Sequence, residues 1–377
     1  MSKMIQYLLI GALIGSAVCG VWILQSFPPY KTAEEAGAFL LGQSVLVGQE
    51  VEQGEKMAWE LLGCQQYFSV DKVEDEQKMI LSENKQMGGV SQSEEVNLDF
   101  AADESVETMG TVGAVEKKRN VYVEKLKETL DIKYLWSKFY IVDSTTSVTK
   151  DLFDVKKLLD DNVKLAKKSG KKQILIYHTH GASESFSDSS GKTEDSVVGV
   201  GTELTKELEK LGYGVYHDKT KYDWIHGSLD RSLAYNKSLE GIEKIRKKYP
   251  DIKVLIDLHR DSVGKGRHTY TTINGKKTAI VMFFNGMSRT KSGPIKYLAN
   301  PNLQGNLAFS LQCKCKAMEY YDGFTKPIYL KGYRYNLHLE KRSLLIELGN
   351  ENNTVEEAKN AAAPLADVLD KVLSGQG

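Results

Sequence analysis

The residues best equipped for chemistry stand at the ends of apolar runs. Gln173-Ile-Leu-Ile-Tyr-His-Thr-His-Gly181 closes a short hydrophobic stretch with two histidines and a glycine. Val254 to Leu258 runs into His259, within Asp257-Leu-His-Arg-Asp261. Ser343-Leu-Leu-Ile-Glu-Leu-Gly349 is interrupted by an acid, Glu347. A short apolar run bounded by turn signals reads as a buried strand. Side chains alternate along a strand, so His178 and His180 are expected on one face, with Tyr177 and Thr179 on the other. Taken alone, that pair reads equally well as one hydrogen-bonded core histidine and one solvated histidine. Three separate strands that each carry an ionisable group near one end weigh against so bland a reading, because desolvating such groups is costly.

Two neutral imidazoles and a carboxylate are a common ligand set for catalytic zinc, with a fourth position left to water. His180 and His259 are the candidate imidazoles. The carboxylate is Glu184, in the adjoining Ser-rich loop, or Glu194, just ahead of the first long helix. Zinc acidifies its water and polarises a carbonyl. A further carboxylate must then take a proton and pass it to the leaving group, and Glu347 is the candidate. His178 is expected to orient the site or hydrogen-bond the substrate. Asp257 is expected to back His259 from the outer shell. Arg260 and Asp261 either hold substrate or pair with each other.

The intervening segments supply the frame. Leu152 to Leu165, Val197 to Leu211, Trp224 to Lys248 and Leu303 to Tyr320 read as helices. Tyr134 to Val142 reads as an edge strand or entry segment. Arg267 to Ile273 and Thr278 to Phe284 flank Asn274-Gly275, a pair suited to a hairpin turn. Thr354 and Glu357 have capping-box spacing and open a last helix that Pro364 bends. Strands alternating with helices place the protein in the α/β class, with a mostly parallel sheet flanked by helices. In such sheets the site lies outside the carboxyl ends of the strands.

Lys plus Arg and Asp plus Glu each total 50, so there is no net charge and no basic excess to draw nucleic acid. The four cysteines, Cys19, Cys64, Cys313 and Cys315, form no framework and read as structural or incidental. Tyr7 to Leu24 is uncharged and long enough for one transmembrane helix. Residues 1–30 are expected to form an uncleaved membrane anchor with the body of the protein outside the cytoplasm. Residues 31–120 read as a polar, acidic, largely disordered spacer. Its acid-rich part, Met87 to Glu116, has no Lys or Arg and too little apolar surface to offset ordering. Residues 121–377 are the expected catalytic domain.

Tyr177-His-Thr-His-Gly-Ala-Ser-Glu-Ser185, Asp257-Leu-His-Arg-Asp261, Tyr335-Asn336 and Leu344-Leu-Ile-Glu-Leu-Gly-Asn350 resemble the stage II sporulation protein P family. Val197-Val-Gly-Val-Gly201 and Tyr216-His-Asp-Lys-Thr220 do too, and the likeness runs in order from about Phe139 to the C-terminus. The resemblance implies an amidase-like fold and a zinc-dependent peptidoglycan hydrolase, related to the N-acetylmuramoyl-L-alanine amidases and also cleaving peptide cross-links. It implies His180, Glu184 and His259 as metal ligands, Glu347 as catalytic residue and His178 as its helper. The wider amidase pattern would favour Glu194 over Glu184, and here three residues separate His180 from Glu184, one more than the family motif has. Leu337-His338 also stands where the family has Gln-Asp. The implied partners are peptidoglycan and stage II sporulation proteins D and M. The implied location is the cell membrane, single-pass, with the enzyme between the membranes of the sporangium during engulfment. The rival from another class is a catalytically silent wall-binding scaffold of an engulfment complex.

Overall fold

The computed structural model describes residues 116–264 and 266–375. The expected anchor, and all but the last residues of the expected spacer, lie outside the described residues. Among the described residues no helix is long and apolar enough to cross a membrane.

The fold is mixed α/β, built on one seven-stranded, mostly parallel sheet. Its strands are β1 (Tyr140–Val142), β2 (Ile174–Tyr177), β3 (Val215–His217), β4 (Val254–Asp261), β7 (Val281–Gly286), β8 (Ile328–Lys331) and β9 (Arg342–Asn350). A separate hairpin, β5 (Tyr270–Ile273) and β6 (Lys276–Ala279), precedes β7. The sheet order is β1-β8-β7-β9-β4-β2-β3. Every neighbouring pair is parallel except β7 and β9, which run antiparallel with Phe284 opposite Leu345 and Met282 opposite Glu347. Two parallel half-sheets therefore meet along β9.

Helices cover both faces. They are α1 (Val121–Thr129), α2 (Ile132–Phe139), α3 (Val155–Asp160), α4 (Val197–Lys210), α5 (Ala234–Lys248), α6 (Leu303–Tyr320), α7 (Val355–Asn360) and α8 (Ala362–Ser374). Strand alternation separates two cores. Ile174, Ile176, Val254, Ile256, Leu258, Phe283, Leu344 and Ile346 join the larger one with α4, α6 and α8. Leu175, Tyr177 and Leu255 pack with Ile242 of α5, and Leu345 and Phe284 pack with Tyr235 of α5 and Tyr335. By the same parity Asp257, His259 and Glu347 belong to the α5 face.

Several expectations need correcting. Tyr134 to Phe139 is not strand. Asp131 caps α2 by accepting from Lys133 N, and Leu135 and Phe139, one turn apart, are its buried stripe. Only Tyr140–Val142 is extended, and it is the edge strand. The helix expected over Leu152 to Leu165 lasts six residues, because Asp160-Asp161-Asn162 is rich in residues that favour turns over helix. Trp224 to Leu233 is not helix either. His226 and Gly227 both take positive φ and turn Trp224–Ile225 back on Ser228–Leu229, so α5 begins only at Ala234. The second strand of the expected hairpin divides: β6 pairs with β5 around Asn274-Gly275, and the chain then enters the main sheet as β7. The last helix breaks at Ala361, three residues before Pro364. The expected capping box is present, with Thr354 Oγ1 accepting from Glu357 N and Glu357 Oε2 accepting from Thr354 N. Cys313 and Cys315 are unpaired and buried in α6.

Candidate active site

The site forms where β2, β4 and β9 end, on the α5 face. β2 stops at Tyr177, and a turn over Thr179 to Ser183 redirects the backbone, held by Gly181 N to His178 O and Ser183 N to His180 O. The turn ends the strand alternation, and this corrects the expectation that His178 and His180 share a face. His178 stays on the α4 side. Its Nδ1 lies 2.8 Å from Leu258 O and its Nε2 lies 2.9 Å from Nε2 of His217. His180 swings to the α5 side, its ring centroid 5.4 Å from that of His259 and 5.5 Å from that of Tyr235.

His180, Glu184 and His259 come together and are all buried. Glu184 Oε1 is 3.1 Å from His259 Nδ1, and Glu184 Oε2 accepts from Arg260 N at 3.1 Å. On its other side His259 presents Nε2 to Asp257 Oδ1 at 2.9 Å, off the line of the N–H bond. Asp257 accepts from Thr179 N at 2.9 Å and from Thr179 Oγ1 at 2.7 Å. Among the described residues, neither ring nitrogen of His180 has a hydrogen-bond partner. Glu194 is exposed on a short 3₁₀ turn and is not part of this group. Glu347 stands directly across from His259 in the β9–β4 register, buried, with Oε2 unpartnered. Arg260 and Asp261 do not form a side-chain pair. Arg260 donates to Ser185 O and Asp261 O, and Asp261 pairs with Lys326 at 3.1 Å.

Burial and charge divide the titratable groups. Burial pushes His180 well below the ordinary imidazole range, and the Arg231 guanidinium adds to that. Burial opposes charge on His259 as well, but the carboxylates of Asp257 and Glu184 outweigh it and hold the ring well above its ordinary value. For Glu184, burial raises the pKa, yet the charge and hydrogen bond of His259, with His180 and Arg231, bring it down to about 2. Glu347 has no such partner. Burial, reinforced by Asp261 and Glu184, raises it to about 8 against the opposing pull of His259. Two carboxylates on one face thus differ in their readiness to hold a proton, which is how acid–base roles are divided. His178 falls to about 4 through burial and stays neutral.

The donor set suits zinc in kind: two imidazoles and a carboxylate, one imidazole buried without any hydrogen-bond partner. Donors of two adjacent tetrahedral ligands stand roughly 3.3 Å apart when each bond is about 2.0–2.1 Å long. Glu184 Oε1 and His259 Nδ1 are near that spacing. Among the described residues, no three acid, histidine or cysteine side chains yet close around a common point.

Other residues complete the surroundings without having stood out in the sequence. Arg231 Nη1 donates to Ser183 Oγ at 2.8 Å, and its Nη2 is 3.6 Å from Glu184 Oε1. Asp223, fully buried, accepts from Ala182 N, Ser183 N and Ser183 Oγ and so pins the loop that carries Glu184. Both lie in or beside the segment expected to be helix. The His226-Gly227 pair between Trp224-Ile225 and Ser228-Leu229 was the signal for a turn there.

A family model described as Stage II sporulation protein P matches residues 60–370. The Stage II sporulation protein P of Bacillus subtilis (strain 168) is 27% identical over 220 residues, covering 54% of this chain and 51% of that protein. The chain thus spans about half the length of that curated relative. Among solved structures, the apo N-acetylmuramyl-L-alanine amidase Ami1 of Mycobacterium abscessus is 15% identical with a TM-score of 0.33, covering 55% of this chain and 99% of that one. The N-acetylmuramoyl-L-alanine amidase of Clostridium difficile 630 is 14% identical with a TM-score of 0.30, covering 54% and 95%. With most of its length matched by the family model, the chain belongs to the stage II sporulation protein P family.

Proposed function

We propose that the protein is a zinc-dependent peptidoglycan hydrolase of sporulation that cleaves the amide between muramic acid and the stem peptide, and cross-link peptide bonds besides. The observation that carries this reading is the meeting of Glu184 and His259 at 3.1 Å beside the unpartnered imidazole of His180, with Glu347 across the sheet from His259. His180, Glu184 and His259 would hold the ion. When bound, zinc acidifies water and polarises a carbonyl. Glu347 takes the proton of the attacking water and returns it to the leaving nitrogen as the C–N bond breaks and a C–O bond forms. A carboxyl whose environment favours the protonated form suits the second, acid half of that task. Asp257 steadies His259 from behind. His178 shapes the floor of the site through Leu258 O, next to His259 in sequence.

In this reading residues 1–30 anchor the protein in the membrane, residues 31–120 reach from it, and residues 121–377 form the enzyme on the outer side. Stage II sporulation proteins D and M are its expected partners. The test is Glu347→Gln. The variant should bind zinc as the wild type does yet release no stem peptides or cross-link fragments from purified sacculi, followed by mass spectrometry. Undiminished release overturns the assignment.

A further inference from the structure

Asp257 is the carboxylate at the back of His259 among the described residues, and it is itself held by a run of buried polar groups that the proposed chemistry does not use. Thr179 Oγ1 is 2.7 Å from Asp257 Oδ2 and 3.1 Å from Ser238 Oγ. Ser238 belongs to α5, and its Oγ is 3.1 Å from Asn336 Nδ2. Thr179, Ser238 and Asp257 have no exposed surface, and Asn336 has 5%.

The chemistry of the groups sets the direction of these bonds. An ionised carboxylate only accepts, so Thr179 must give its single hydroxyl proton to Asp257. Thr179 Oγ1 is then left to accept from Ser238. Ser238 Oγ also lies 3.1 Å from Tyr235 O, a carbonyl whose two lone pairs let it accept from Asn336 Nδ2 at 2.9 Å as well. The Ser238 hydroxyl has both Tyr235 O and Thr179 Oγ1 within 3.1 Å, and the second Asn336 N–H serves Ser238. Asn336, Ser238, Thr179 and Asp257 thus form one continuous run of hydrogen-bonding contacts, and the members of such strings polarise one another.

At the far end the backbone is strained. Tyr335 and Asn336 take φ of 49° and 57° in succession. Non-glycine residues in that region cost of order 1–3 kcal/mol each and persist where surroundings over-determine them. The Asn336 amide, bonded to two elements of α5, is such a determinant.

We propose that the Tyr335–Asn336 turn, through Ser238 and Thr179, is a positioning element that fixes Asp257 against Nε2 of His259, so that Nδ1 faces Glu184, with which it would hold the ion. This rests on the metal reading of His180, Glu184 and His259. A buried polar network of this kind acts as a unit only when all its members are satisfied.

Zinc affinity of the full chain, measured by competition with a chromophoric chelator, tests it without recourse to turnover. Thr179→Val keeps shape and removes the hydroxyl, and it should weaken zinc binding about tenfold, the scale of outer-shell losses. Thr179→Ser should restore wild-type affinity, which a purely steric role would not do. Asn336→Ala should weaken binding in the same sense by a smaller factor, with the unfolding midpoint recorded alongside. His259→Ala serves as the control and should lose stoichiometric zinc. Wild-type affinity in both Thr179→Val and Asn336→Ala, with zinc lost in His259→Ala, overturns the positioning role and leaves the metal reading standing. Zinc retained in His259→Ala removes the metal reading and this role together.

Discussion

Gly201 of α4 sits against the His178–His217 pair, and replacing it tests how that side of the site is packed. A Cβ added there would stand 2.7 Å from Cε1 and Nε2 of His178 and 2.8 Å from Nε2 of His217. Ordinary contacts between such atoms lie at about 3.5–4.0 Å, so each ring would have to retreat by about an ångström. His178 has no room, being fully buried and tied to Leu258 O. Either α4 lifts from the sheet or the bond between the two rings breaks. Overpacking costs about 1–3 kcal/mol and a lost hydrogen bond about 0.5–1.5. Against this, alanine is favoured over glycine in a helix by about 1 kcal/mol. The net expectation for Gly201→Ala is a loss of about 1–3 kcal/mol. Urea unfolding should show a lower midpoint at unchanged slope. In a His178→Ala background the same change should cost less, giving a measurable coupling in the double-mutant cycle. Gly201→Ala as stable as the wild type, or equal costs in both backgrounds, refutes the reasoning.

Lys314 is buried in α6, donates to Thr325 O and Oγ1, and has its pKa lowered by burial to about 7. The unfolded chain binds the extra proton between about pH 7 and 10.4, so stability from this group rises with pH across that window, by about 5 kcal/mol in all. Urea titrations at pH 7, 8.5 and 10 should show the rise in the wild type and its absence in Lys314→Met. Glu319 acts in the same sense but in an acidic window. Burial raises its pKa, but Lys127, Lys316 and Lys117 outweigh that and lower it, so its contribution is present above the ordinary carboxylate pKa and fades as pH falls below it. Glu319→Gln should flatten the acid side of the stability–pH profile, and a profile unchanged below pH 5 argues against that role. Thr354→Ala removes the capping box and should lower stability by about 1 kcal/mol in thermal unfolding.

Much of the site was legible because its residues sit at strand ends, where hydrophobic runs stop abruptly. His180, His259 and Glu347 could each be found that way, and the α5-face parity of His259 and Glu347 follows from counting along their strands. What could not be read lies where local pattern and backbone course part company. The turn after His178 sends two histidines of equal parity to opposite faces, and no periodicity encodes a turn that begins inside the motif. Glu184 and Glu194 look alike in sequence, and only the fold of the intervening loop puts one beside His259 and leaves the other exposed. The antiparallel meeting of β7 with β9 was likewise hidden, since an apolar run carries no direction. Leu135 and Phe139 have helical spacing, but the aromatic and β-branched run around them reads as strand.

The position of β9 bears on the order in which the molecule can assemble. It lies between β7 and β4, yet it is made after both, and it alone joins the two half-sheets. Until its residues have been synthesised, β4 and β7 each present a bare edge that calls for a partner. Closure depends on contacts distant in sequence, which makes folding slow relative to chain growth. A protein built in this way stays open until β9 is made, and Glu347, carried on the strand that completes the sheet, reaches His259 only in the same event.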